Sequence, residues 1–513
     1  MAKGFCQKVH VLIGAYELRD VNVSEQFTAQ EQNRRNNLIE LSKKYNAYPD
    51  RYTVTHEIGE IASLEDGTKN VGIAGRVLLS RNMGKLTFAR IADITGYTQI
   101  CFTVGVLGKE LYDDYENFCD IGDFIGVTGE IFTTKTGEKT LRVESYTLLS
   151  KALKPLPEKW HGLTDIELCY RHRYLDLIMN DKTQQRFLLR SNFIKFTRRF
   201  LEDNGYIEIE TPVLINNPSG ALARPFQSHH NALDIDVFLR IAPETYLKRA
   251  IVGGFTKVFE FARCFRNEGM GPNHLQDFTM LECYGAYLNY KDNIQFTQKL
   301  IKYVIERLFG TLVIEIGDTI VDFSKEWEVF SFRELLIKDA GIDINDCPTA
   351  DDLRKSITNK GIYFEADADV NSLGKGNLID LLYKKVSRPK IINPTFLTEH
   401  PVEVSPLARG NDDNPTITDR FQLVINGAEI INAYYELVNP IEQRKRLEEQ
   451  AELNAKGDSE AMVMDNDYIT AMEYGMPPNS GWGLGVDRIV QVLTQSANIR
   501  DCVLFPIMKP LDE

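Results

Sequence analysis

Two runs separated by a polar loop decide how this chain folds: Phe259-Glu260-Phe261-Ala262-Arg263-Cys264-Phe265-Arg266-Asn267-Glu268 and Phe278-Thr279-Met280-Leu281-Glu282-Cys283-Tyr284. Each alternates with the period of two that marks a β-strand, so side chains two apart share a face. The first run predicts Arg266 and Glu268 on one face, and the second groups Phe278, Glu282 and Tyr284. If residues 269–276 close a hairpin, one surface carries an arginine, two carboxylates, a phenol and a ring. Burying that mixture unpaired is costly, so its members satisfy one another or a ligand does.

Working outward, a helix is expected over residues 186–204, where Phe187, Ile194 and Leu201 recur seven apart and Gly205 follows as a stop. Gly205-Tyr206-Ile207-Glu208-Ile209-Glu210-Thr211-Pro212 then reads as an alternating strand ended by proline. Far downstream, Ser480-Gly481-Trp482-Gly483-Leu484-Gly485-Val486-Asp487-Arg488 leads into an apolar run, Ile489 to Leu493. Glycines before a helix permit close backbone approach and an anion at the helix start, with Arg488 as counter-charge. Taken alone, the same spacing also makes a tight turn.

The first third of the chain has a different pattern. Residues 25–50 predict one polar helix carrying Arg34, Arg35, Lys43 and Lys44, either a solvated face or one that contacts RNA. Five strand-like runs follow at 71–81, 85–92, 97–104, 123–134 and 138–149, with a short helix at 109–119. That order is expected of an OB-fold barrel, a module that often binds single-stranded nucleic acid. Lys154-Pro155-Leu156-Pro157 is a stiff linker. The expected divisions are an extension with a helix at 1–65, a barrel at 66–153, a linker at 154–180 and a catalytic domain at 181–513.

Composition bounds these readings. Of 513 residues, 43% are apolar and 26% charged, which supports a large core and excludes global disorder. The eight cysteines are scattered without a C-x-x-C pair, which argues against a disulfide framework or a zinc site. Met1 to Asp20 lacks a signal-peptide core, and no run reaches the roughly 18 apolar residues of a membrane span, so the chain reads as soluble and cytoplasmic. Lys and Arg number 59 against 73 Asp and Glu, a balance of -14 that speaks against bulk polyanion binding. Locally the picture differs: residues 171–200 hold eight cations and two aspartates, whereas residues 76–159 hold 11 of each sign.

Taken in order, the strand ending at Pro212, the F-R-x-E at Phe265 to Glu268 and the G-x-G-x-G-x-D-R at Gly481 to Arg488 resemble the signature motifs of class II aminoacyl-tRNA synthetases. With the barrel in front, the chain looks like the subgroup containing lysyl-, aspartyl- and asparaginyl-tRNA synthetases, from about Thr53 to Pro510. The segments Arg240 to Arg249 and Asn432 to Leu437 resemble the lysyl enzymes. The fold this implies is multidomain α+β and β: an OB-fold barrel and a catalytic domain built on an antiparallel sheet flanked by helices.

The resemblance also implies roles. Glu436 and Tyr284 would hold the ε-ammonium of lysine, Glu244 and Glu282 its α-ammonium, and Gly220, Asn432 and Tyr434 would complete that site. A lysine ammonium needs a desolvated carboxylate, whereas an aspartate pocket needs cations, so the Glu244 and Glu436 pair opposes an aspartyl or asparaginyl enzyme. ATP would meet Arg266 at its α-phosphate, Arg488 at its γ-phosphate, His274 near the phosphates, and Glu268 and Phe278 at the base. Family members hold magnesium with two glutamates; here Glu429 matches one and Gln422 stands at the other, which predicts a weaker or water-mediated metal. Simple alternation opposes Glu429 to Asn432 and Glu436, so a bulge is required. A second departure is His274-Leu275-Gln276-Asp277 before Phe278, and helical spacing is expected to turn Lys248 and Arg249 away from Glu244.

In the barrel, Arg81, Phe88, Gln99 and Glu138 fall at the family's anticodon-reading positions, although Phe88 alone also reads as core. The activity implied is ligation of L-lysine to tRNA(Lys) through lysyl-adenylate, by a homodimer with Pro212 near its interface. A non-enzymatic RNA-binding paralogue is the rival from another class, and the intact Arg266, Glu268 and Arg488 argue against it. Paralogues that transfer lysine to proteins resemble only the catalytic half.

Overall fold

The computed structural model describes residues 27–157, 165–221, 223–364, 370, 373–455 and 462–511, so residues 1–26 of the expected N-terminal extension lie outside the described residues. The chain divides into two compact units, Met1–Gly162 and Leu163–Glu513. Among the described residues, no helix is long and apolar enough to cross a membrane.

In the first unit, strands β1 (Val71–Asn82), β2 (Leu86–Asp93), β3 (Gly96–Thr103), β4 (Phe124–Thr133) and β5 (Lys139–Ser150) close a barrel in the order β1-β2-β3-β5-β4. Alternation explains the closure. Val71, Ile73, Val77, Ala89, Ile91, Val127 and Leu141 point inward, and the helix Lys109–Phe118 packs Tyr112 and Tyr115 against them. The Tyr115 ring stacks on Phe102 with centroids 3.9 Å apart. The β4–β5 register shifts beside Gly129, with Glu144 of β5 as the extra residue, and an added Cβ on Gly129 would lie 1.9 Å from the Arg142 carbonyl oxygen.

The polar helix is real, at Ala29–Ser42, and starts on a capping box in which Thr28 and Glu31 satisfy each other's backbone N–H groups. Each of its four named cations has a partner within the protein. Arg34 is buried and donates to the carbonyls of Ile121 and Ala152, each at 2.9 Å. Lys44 pairs with Asp114, Lys43 with Glu40, and Arg35 lies over the Phe27 ring.

The second unit is built on an eight-stranded sheet. Its strands are β6 (Ile207–Glu208), β7 (Lys257–Phe265), β8 (Asp277–Ala286), β9 (Glu328–Ser331), β10 (Thr395–Pro401), β11 (Ile417–Ile425), β12 (Ala428–Tyr435) and β13 (Asn479–Gly485). Their order is β9-β10-β11-β12-β13-β8-β7-β6, antiparallel except for the two outermost pairings. One face carries Phe259, Leu281, Cys283, Trp482, Leu484, Ile431, Ala433 and Phe421. The helices Asp181–Asp203 and Tyr290–Phe309 cover that face with Phe193, Leu201, Leu300, Ile301 and Val304.

Three expectations change. The strand expected over Gly205 to Pro212 pairs only at Ile207–Glu208, because Thr211 turns aside to donate to Glu260 Oε2 (2.7 Å) while Arg240 donates to its carbonyl. Residues 166–179, read from sequence as linker, form two helices tied to the C-terminal segment by Arg173, which is buried on Asp176 and the Leu504 carbonyl. The basic run is also largely paired: Arg171, Arg173, Arg190, Arg198 and Arg199 contact Glu167, Asp176, Asp487, Glu208 and Asp203.

The Gly129 contact yields a stability test. Gly129→Ala is expected to destabilise the barrel by about 3 kcal/mol, the upper range for overpacking, read as a lowered denaturation midpoint with an unchanged slope.

Candidate functional site

The sheet face turned away from the helices forms the floor of a cleft of about 340 Å³. Antiparallel register decides what stands there. Glu282 pairs across β13 with Gly483, Tyr284 with Gly481, and on the far side Gly483 faces Asn432 while Gly481 faces Tyr434. Gln422 and Arg420 on β11 continue the two rows. The glycines are therefore strand residues that keep the floor low, and the helix starts directly after them, with Gly485 as its N-cap. A Cβ on Gly481 would stand 2.3 Å from the Tyr284 ring and 3.0 Å from Glu436 Oε1.

The cleft gathers residues that are far apart in sequence. Its lining includes Gly220, Glu244, Arg266, Glu268, His274, Phe278, Glu282, Tyr284, Glu429, Asn432, Tyr434 and Arg488. Glu436 and Gln422 are not on its wall; both are buried beside it. Arg266 and Glu268 lie just past the end of β7, where the Arg266 N–H donates to the Gln276 carbonyl at 2.9 Å and the Arg266 guanidinium stands over the Phe278 ring. The unusual loop is braced by an Asp277–Arg263 ion pair, and it still sets His274 on the cleft wall.

The bulge that sequence alternation required is present. Register shifts between Leu423 and Val424, so that Ile431 opposes Leu423 and Glu429 opposes Val424, leaving Ile430 as the extra residue. Glu429, Asn432 and Tyr434 thereby line the same cleft. Asn432 accepts from Arg420 Nε at 3.0 Å and donates to the Tyr434 hydroxyl at 2.8 Å. Arg488 donates to the Glu429 carbonyl at 3.1 Å, and Asp487 fixes the helix start by accepting from the Thr279 N–H at 2.7 Å.

One end of the cleft is acidic and dry. Glu244, Glu282 and Glu436 are all buried, and the Tyr284 hydroxyl donates to Glu282 Oε2 at 2.9 Å. The expectation for Lys248 fails here. Four residues along a helix bring side chains onto one face, and Lys248 Nζ sits 2.5 Å from Glu244 Oε1 while also touching Glu436 Oε2. The i,i+4 spacing within Glu244–Val252 was the signal for it. Arg249 does turn away, toward Asp465.

Burial, then repulsion from Glu244, pushes the Glu282 carboxyl well above the usual range. Burial opposes the charge on Lys248, yet Glu244 and Glu436 outweigh it and hold the ammonium protonated. Burial draws Glu436 the other way, toward its neutral form. The direct Nζ contact favours the charged pair.

Against known proteins, the family described as tRNA synthetases class II (D, K and N) matches residues 165–509. The chain belongs to this family. Residues 71–149 match the OB-fold nucleic acid binding domain. A lysine–tRNA ligase of Pelotomaculum thermopropionicum is 46% identical over 480 residues, 93% of this chain and 94% of that protein. The heat-inducible lysine–tRNA ligase of Escherichia coli K12 is 42% identical over 504 residues, 96% and 99% of the two chains. A lysine–tRNA ligase of Thermosipho africanus is 41% identical over 485 residues.

In this synthetase's barrel, Arg81 and Phe88 are cross-strand partners on β1 and β2, and Gln99 on β3 pairs with Thr140 on β5, which Glu138 precedes by two residues. Phe88 stands outside the barrel core, because its neighbours Thr87 and Ala89 take the inward positions. Arg81 and Glu138 are exposed, and Gln99 Nε2 donates to Thr140 Oγ1 at 2.9 Å.

The raised Glu282 pKa carries a sign. A carboxyl that holds its proton more tightly when folded contributes stability at low pH and loses it as pH rises through the folded pKa. Glu282→Gln is therefore expected to raise the thermal midpoint at pH 8, by on the order of 1 kcal/mol. The gain should vanish below about pH 4, where unfolded glutamate is itself protonated.

Proposed function

We propose that this chain is a lysine–tRNA ligase whose amino-acid site is the acidic end of the cleft. The observation that carries the choice of lysine is the cluster Glu244, Glu282 and Glu436, buried with a single resident ammonium. Such a site calls for cations and repels an aspartate side chain. Glu436 and Tyr284 take the ε-ammonium, Glu244 and Glu282 the α-ammonium, and Gly220, Asn432 and Tyr434 complete the wall.

From Tyr284 to Phe278 along β8 is six residues, or roughly 20 Å, room for lysine and a nucleotide end to end. At the far end Phe278 stacks on adenine, Glu268 accepts from its amino group, Arg266 faces the α-phosphate, and His274 and Arg488 face the outer phosphates. A lysine carboxylate oxygen attacks the α-phosphorus, an O–P bond forms, and the bond to pyrophosphate breaks. No protein group exchanges a proton in that step, so positioning and neutralisation of charge supply the rate. The terminal adenosine hydroxyl of tRNA then takes the lysyl group, releasing AMP.

Magnesium fits this chain in an asymmetric way. Glu429 offers a carboxylate at the cleft, and Gln422, buried beside it, offers an amide oxygen where a second carboxylate would stand. Among the described residues, no three His, Cys, Asp or Glu cluster to hold a metal, so substrate phosphates supply most of its ligands. When bound, it would offset charge on the triphosphate. We further infer a cytoplasmic homodimer with Pro212 near the interface, supported by the family alone.

ATP–pyrophosphate exchange is expected with L-lysine and absent with aspartate or asparagine; the reverse pattern would refute the reading, and no exchange with any amino acid would favour the non-enzymatic one. Glu436→Gln should raise KM for lysine roughly 100-fold, the scale of a broken buried ion pair, with KM for ATP nearly unchanged. In the barrel, Arg81, Phe88, Gln99 and Glu138 are proposed to read the anticodon. Phe88→Ala should weaken tRNA binding by about 1–3 kcal/mol, the worth of one stacked base, and leave amino-acid activation intact.

A further inference from the structure

Nothing in the proposed reaction gives Lys248 a task, yet its side chain is 0% exposed and its ammonium bridges two of the three pocket carboxylates. We infer that Lys248 is a positioning and specificity-determining residue, an internal ammonium that pairs with Glu244 and Glu436 and leaves one Glu436 oxygen open for a substrate ammonium. This inference rests on the lysine reading above.

The charge count is local. Glu260 is neutralised by Arg240 at 2.6 Å and Asp465 by Arg249 at 3.0 Å, so neither calls for a substrate cation. Glu244, Glu282 and Glu436 remain: burial and Glu244 favour the neutral form of Glu282, and Lys248 is the positive charge set against Glu244 and Glu436. The phenols of Tyr284, Tyr434 and Tyr468 face the same space and stay neutral, held so by burial. Arg420, bonded to Asn432, Ser405 and the Val404 carbonyl, and Arg266, over Phe278, are permanent cations.

Geometry assigns the division of labour. Lys248 engages Glu244 Oε1 and Glu436 Oε2, one oxygen of each carboxylate. Glu436 Oε1 is not engaged by Lys248; it lies over Gly481, beside the Tyr284 ring. That oxygen is the one left for an incoming ammonium. Without Lys248, two neighbouring carboxylates would share a proton, as like charges at close range do. The proton would then occupy the oxygen that the substrate needs.

The test is the pH profile of kcat/KM for lysine in ATP–pyrophosphate exchange. A proton and an ammonium compete for the same oxygen, so kcat/KM climbs with pH until the carboxylates are free. Removing a neighbouring positive charge raises carboxyl pKa values, which moves that climb to higher pH. Lys248→Met is expected to shift it upward by about one pH unit or more and to raise KM for lysine at pH 7 about tenfold or more, with KM for ATP within about twofold. Lys248→Gln keeps a hydrogen-bond donor without the charge and should show the same shift, which guards against a methionine variant that fails to fold. Lys248→Arg should leave the climb at its wild-type position. A climb that stays in place in the neutral variants, or equal losses for lysine and ATP, overturns the inference. Wild-type protein that shows no lysine-dependent exchange would instead sink the lysine reading on which it rests.

Discussion

At Gly481 the sheet has room for a hydrogen atom and nothing larger, since a methyl group would run into the ring of Tyr284. Much of the site depends on that missing side chain. Because β13 is low, the Tyr284 ring lies over it, beside the wholly buried Glu436. Dry carboxylates are expensive, and the structure answers with a buried lysine, a phenol donor and space for cations from outside. The same strand, on its reverse face, inserts Trp482 and Leu484 into the main core. Alternation thus lets one segment serve packing and binding at once, which is why glycines and large apolar residues interleave so strictly there.

How much of this was legible before the structure depended on the range of the interaction. The barrel strands and the β7–β8 hairpin follow from local alternation, and their bounds differ from expectation by a residue or two in most cases. Family motifs pointed to the residues that line the cleft. Readings that needed a partner distant in sequence fared worse. The Gly205 to Pro212 strand ends early because Thr211 prefers the Arg240–Glu260 pair, and residues 166–179 pack because Arg173 finds the Leu504 carbonyl. Lys248 is a different failure: its spacing from Glu244 was visible, but the sign of the helical argument was reversed, and its second partner comes from another element.

The bulge at Ile430 shows what sequence can specify without displaying. Two residue types on opposite phases of an alternating strand demanded one extra residue between them, and the register contains it. Its position between Glu429 and Asn432 lets a single strand present both residues to the same cleft. The shift also carries Ile430 and Ile431 together into buried positions, so the core gains rather than loses by the irregularity.

The ion pairs that take up the basic run at residues 171–199 have a consequence for any polyanion approaching this surface. An arginine already matched to a carboxylate is less free to neutralise a phosphate and so to release the counterions condensed on a nucleic acid, and release of such ions is what makes nucleic-acid affinity collapse as salt rises. With the barrel electrically balanced as well, attachment here gains little from ion release. Its strength would persist across a wide span of ionic strength, with discrimination carried by faces and edges of unpaired bases.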